Sequence, residues 1–161
     1  MKKFLLTTLF CCASIVLTAG TDLRVQNFLP ASGGTAEVVS TGWKNYGLKL
    51  TAGAQSDVTV MYKQIFTFHP GMIYEISGDI SGTGELFAEL QYFDIDNKPV
   101  SYPKSKMTIR IRKDEFKAVL DLRKVDMPNP PRRCKVVLGV KKGGSLLLED
   151  MELDVEDGID D

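Results

Sequence analysis

Histidine occurs once in this 161-residue chain, tryptophan once and cysteine three times. Each scarcity closes a class of chemistry. A histidine-based metal centre needs more than His69, and no cluster of cysteines completes one. A Ser-His-Asp or Cys-His site would have to use His69, which stands in the turn sequence "FHPG", and no G-x-S-x-G nucleophile elbow accompanies it. Cys11 and Cys12 lie in the first apolar stretch, so the remainder holds Cys134 alone and has no intramolecular disulfide to draw on. Such a domain rests on its hydrophobic core, in which Cys134, within the alternation "RCKVVLGV", is a small apolar residue. Helical spacing sustained over three turns is also missing.

The first twenty residues, "MKKFLLTTLFCCASIVLTAG", place Lys2 and Lys3 ahead of an apolar run that ends in small residues. That layout predicts a signal peptide over residues 1–20 and a secreted, periplasmic or cell-envelope address. A lipoprotein acylated at Cys11 or Cys12 is the lesser reading, because Phe10 or Cys11 stands where a small residue is usual and the apolar run continues through Leu17. Residues 21–161 are then expected to form a single domain ending in a short acidic tail.

Charge is scarce in one sign or the other along the chain. Residues 104–142 carry 13 basic and 4 acidic groups, whereas residues 149–161 carry no basic and 8 acidic ones. The two segments either offer a surface to an anionic partner or are strand faces whose opposite charges meet in the fold. The basic residues alternate with apolar ones and match no nucleic-acid motif, so nucleic acid is not expected as a partner.

What is abundant is alternation with period two, broken by Gly, Pro, Asn and Asp. Segments such as "AEVVST", "IYEISGDI", "LFAELQYFDI", "KMTIRIR", "FKAVLDLR", "CKVVLGVKK" and "SLLLEDMELDV" read as strands. The whole predicts an all-β fold, an antiparallel β-sandwich (jelly roll) of about eight or nine strands. In "ELFAELQYFD", Leu86, Ala88, Leu90 and Tyr92 form the core face, and Phe87, Glu89, Gln91 and Phe93 the wet face. The stretch "FDIDNKPV" sets Asp94 and Asp96 at alternate positions, but Lys98 follows at the third and Ser105 replaces the twelfth-position Glu of a calcium loop. It reads as a turn.

The order of "GWKNYGLKLTA", "FTFHPGMIYEISGDI", "LFAELQYFDIDNKPV" and "LLLEDMEL" resembles that of carbohydrate-binding modules of the galactose-binding-domain-like jelly-roll type, over roughly residues 36–155. The resemblance implies glycan binding, a core position for Trp43, and a structural calcium held by Asp150 of the closing Glu149–Asp150 pair. The family's opening acid is replaced here by "VQNFLPASGG", which offers Asn27 and Phe28.

Sugars present apolar C–H faces and a rim of hydroxyls, so rings beside amides, carboxylates and guanidinium groups are the expected lining. Phe87, Glu89, Gln91 and Phe93 supply that mixture along one strand, with Arg110 from a neighbouring strand and Tyr102 from the loop beside Pro103. These six are the expected ligand-binding residues, for a polysaccharide of neutral or anionic type. Glu75, Glu85 and Glu89 could pair for glycoside cleavage, but a single small sandwich leaves little room for a cleft, and the chain is read as non-catalytic. The alternative is an envelope or adhesion module that meets another protein through a sheet face.

Overall fold

A computed structural model describes residues 20–28 and 32–157. The expected signal peptide, Cys11 and Cys12 fall outside the described residues, apart from Gly20. Twelve strands follow one another along the described chain: β1 (Thr21–Asp22), β2 (Gly34–Gly42), β3 (Asn45–Ala52), β4 (Val58–Met61), β5 (Phe66–Thr67) and β6 (Ile73–Thr83). They continue with β7 (Leu86–Phe93), β8 (Pro99–Val100), β9 (Thr108–Arg112), β10 (Glu115–Asp121), β11 (Arg133–Val140) and β12 (Ser145–Glu156). Three of these, β1, β5 and β8, are only two residues long. The other nine are the strands that alternation predicts. No α-helix is present among the described residues; one turn of 3-10 helix, Val25–Asn27, lies in the entry segment.

The strands pair antiparallel in two sheets. The first runs β2-β3-β12-β6-β10-β9, with β1 beside β12, and the second runs β4-β11-β7-β8, with β5 beside β11. Between β8 and β9 the chain changes sheets. Residues 105–107 still pair with the edge of β7, through Leu90 N–H to Ser105 O at 2.9 Å and Met107 N–H to Ala88 O at 2.9 Å, before joining β10 as β9.

Period-two alternation explains the packing. Leu48, Leu50, Tyr74, Ile76, Phe116, Ala118 and Leu120 of the first sheet face Val58, Val60, Leu86, Ala88, Leu90, Tyr92, Val136 and Leu138 of the second, all buried. Cys134 is fully buried among them. Full burial of each large apolar side chain contributes about 1.5–3 kcal/mol. Aromatic contacts tie the two layers at one end: Phe68 stacks on Tyr74 at 5.5 Å and meets Tyr92 edge-on at 5.0 Å. The Tyr74 hydroxyl accepts the His69 N–H at 2.7 Å and donates to the His69 carbonyl at 3.2 Å, which satisfies a buried polar tip.

The "FDIDNKPV" stretch is the turn between β7 and β8. Asp94 Oδ1 accepts the N–H groups of Asp96 and Lys98 at 2.9 and 2.8 Å, and Asn97 adopts a left-handed φ of 60°. The charge segments also meet. Lys117 Nζ lies 2.6 Å from Glu75, and Glu156 and Asp154 of the acidic end add to the field that raises its pKa after the Glu75 hydrogen bond and charge. Much of the acidic segment is strand, with Met151 and Leu153 buried between its acids.

Candidate functional site

The wet side of β7 is positioned by the burial of the other side. Because Leu90 and Tyr92 are held in the core, Glu89 and Gln91 must project outward. β7 pairs with only two residues of β8, and the following loop folds back along its edge. Between strand and loop lies a cleft of about 260 Å³, lined by Glu89, Gln91, Pro99, Ser101, Tyr102 and Ser105. Three of the six expected ligand-binding residues therefore converge here. The lining offers a carboxylate that accepts, an amide that does both, and two hydroxyls, which is the complement of a polyhydroxylated ligand. Tyr102 is less free than a loop tyrosine: its ring packs edge-on against Tyr92 at 5.7 Å, and its hydroxyl donates to the carbonyls of Pro128 and Asn129.

The other three expected residues stand elsewhere. Phe87 precedes Glu89 on the same face, but its ring lies against Gly139, where an added Cβ would sit 2.1 Å from the ring Cζ. Lys141 Nζ is 4.7 Å from the ring centroid. Phe93 is only 8% exposed, paired with Pro99 on one side and Arg133 on the other, so it offers no open stacking surface. Arg110 pairs with Lys117 of β10 on the outer face of the first sheet, on the opposite side of the sandwich from Glu89 and Gln91.

Trp43 corrects the expectation of a core position. It is 88% exposed at the tip of the β2–β3 hairpin, where Lys44 takes a left-handed φ of 64°. The turn residues Gly42, Lys44 and Asn45 were the signal for this, since a two-residue hairpin loop cannot reach the core.

Asp150 sits on a β-bulge. The pairing of β12 with β6 shifts between Glu149 and Glu152, and Asp150 takes φ 45°. Calcium requires six to eight oxygen ligands, carboxylates prominent among them. No three acidic, histidine or cysteine groups converge to hold an ion among the described residues. Nearby Asp79 has its carboxyl pKa raised, by loss of hydration first and then by the charges of Asp150, Asp114, Glu115 and Glu149. The calcium implied by the resemblance thus finds no gathered ligand set at Asp150 among the described residues. The entry segment does pass beside Asp150, through Leu23 N–H to Met151 O at 2.8 Å.

No protein-family model matches the sequence, and no curated protein does. Solved structures do share the architecture. The CBM22-1 xylan-binding domain from Paenibacillus barcinonensis Xyn10C gives a TM-score of 0.53 at 12% identity, over 88% of this chain and 98% of that one. The CBM22-1–GH10 modules of Clostridium thermocellum xylanase 10B, complexed with xylohexaose, give 0.51 at 8% identity over 84% of this chain and 28% of that one. The enzymatically active domain of bacteriophage CBA120 tailspike protein 4 gives 0.50 at 11% identity, over 83% of this chain and 20% of that one. This chain thus spans nearly the whole of the xylan-binding domain and about a fifth of the tailspike chain. At such identities the likeness is one of fold, a two-sheet antiparallel β-sandwich that these carbohydrate-binding modules share with this chain.

Proposed function

We propose that this protein is an exported, non-catalytic glycan-binding module that takes its ligand along the outer face of β7. The observation that carries this reading is the cleft whose lining brings Glu89, Gln91, Ser101 and Ser105 together with Tyr102 around one volume. Its size sits just under the usual range of roughly 300–1,000 Å³ for small-ligand pockets, and it suits a segment of a chain more than an engulfed molecule. Arg133 and Lys135 share the outer face of the second sheet with Glu89, while Lys141 beyond them is paired with Asp57, and the two favour a polysaccharide of anionic character. Xylan and xylohexaose are the ligands of two structures with the same fold, and they support the choice of glycan class. An adhesion role through a sheet face would need a broad apolar patch. The exposed large apolar residues among those described, Val38, Trp43, Tyr46, Ile95 and Ile111, are instead dispersed over several elements.

The test is affinity electrophoresis of the full chain through native gels carrying soluble polysaccharides, beside the double variant Glu89→Ala/Gln91→Ala. Both side chains are partly exposed on the wet face, so the variant should fold. Its affinity for whichever polysaccharide retards the parent should fall about tenfold or more, the equivalent of one or two lost polar contacts. Equal retardation of parent and variant removes the cleft from the account.

A further inference from the structure

Trp43 and Tyr46 are, with Val38, Ile95 and Ile111, the most exposed large apolar side chains described, at 88% and 53%. They share one hairpin tip, far in sequence from the β7 cleft. An indole left almost wholly in water contributes nothing to the core and forfeits the burial that large aromatic side chains ordinarily supply. The tip is also held in a set geometry: Gly42 pairs with Asn45, the Ser40 hydroxyl donates to the Gly42 carbonyl at 3.2 Å, and Lys44 is kept left-handed.

Beside the tip lies a second cleft, of about 340 Å³, whose polar lining includes Asp22, Arg24, Gln26, Asn45 and Asp150, with Tyr46 at its wall. Three elements build it. The entry segment is fixed to β12 by the Leu23–Met151 hydrogen bond, the β12 bulge brings Asp150 to the cleft, and the hairpin supplies Lys44 to Tyr46. Rings beside carboxylate, amide and guanidinium groups are what a sugar's two kinds of surface require.

We infer that the β2–β3 hairpin tip is a second glycan contact, in which Trp43 and Tyr46 lie against sugar rings and the cleft beside them takes the hydroxyls. This rests on the glycan-binding reading, but on residues separate from those of the β7 cleft. A membrane surface is the less suited partner, because the cleft's charges balance, Asp22 and Asp150 against Arg24 and Lys44, and offer anionic headgroups no net attraction.

The chain's single tryptophan makes the test specific, since tryptophan emission reports Trp43 alone. The full chain is titrated with soluble xylan, mannan, galactan and mixed-linkage β-glucan, and separately with phosphatidylglycerol–phosphatidylethanolamine vesicles. Retardation of the same samples in affinity gels reads binding at any site. A polysaccharide that retards the chain should move the emission to the blue and shield it from iodide, and should still do so with Glu89→Ala/Gln91→Ala. Trp43→Ala should bind it about tenfold more weakly while keeping the parent's unfolding midpoint. Retardation with unmoved emission and an unaffected Trp43→Ala overturns the hairpin contact and leaves the β7 reading standing. Absence of retardation by every polysaccharide overturns both. An emission shift with vesicles alone replaces the sugar contact with a membrane one.

Discussion

Cys134 shows what burial does to a single functional group. It lies at 0% exposure on β11, and the surrounding apolar side chains push its thiol up to about 12. The thiolate is the reactive form, so a cysteine so placed should not react with iodoacetamide in the native protein at about pH 8. Labelling of Cys134 should appear only when denaturant opens the sandwich, and peptide mass spectrometry showing rapid alkylation at Cys134 in the native protein would contradict this. Phe93 and Trp43 illustrate the converse. Both are large aromatic residues whose burial alternation or resemblance placed wrongly. Phe93 has the outward phase of β7 but is 8% exposed, set between its pairing partners Pro99 and Arg133 at the turn that Asp94 anchors. Trp43 has turn residues on both sides, and those local signals were the sound ones.

Within elements, the period-two pattern was enough to find nine of the strands and to assign the core faces of β7 and β11, where Leu86, Ala88, Leu90, Tyr92, Cys134, Val136, Leu138 and Val140 are all buried. The short strands β1, β5 and β8 were not readable, because two residues carry no period. The β12 bulge was readable in principle. Its apolar residues fall at Leu146 and Leu148 and then at Met151 and Leu153, one step out of phase, and the step is where Asp150 turns left-handed. The pairing of sheets was beyond the sequence. That is why Arg110, adjacent in spirit to the β7 residues, stands on the opposite face: nothing local tells β9 to leave the second sheet after Met107.

Gly139 offers a test at this scale. A methyl group there would meet the Phe87 ring at 2.1 Å and the Val58 carbonyl oxygen at 2.5 Å. The ring can swing away but the carbonyl is backbone of β4, so Gly139→Ala should lower stability by about 1–3 kcal/mol. Urea unfolding followed by circular dichroism reads it, and an unchanged midpoint would mean that the β4–β11 spacing is looser than described.

At the scale of the molecule, the sandwich separates two jobs. Its interior supplies stability without disulfide or α-helix among the described residues, and its exterior carries the charge and several clefts, the two proposed for glycan among them. Lys117 of the basic segment pairs with Glu75 and lies in the field of Asp154 and Glu156 of the acidic one, and Lys141 pairs with Asp57, which leaves Arg133 and Lys135 on the second sheet's outer face as the basic groups that a negatively charged chain would meet. The fold class was legible because alternation and turn residues agree everywhere. The ligand was not, because a sandwich of this kind presents several faces and sequence alone does not say which is concave or open.

The most direct measurement is a glycan-array screen of residues 21–161, on protein shown by circular dichroism and cooperative unfolding to be folded. The account predicts reproducible binding to at least one polysaccharide class, weakened by Glu89→Ala/Gln91→Ala. A blank array with folded protein would contradict it.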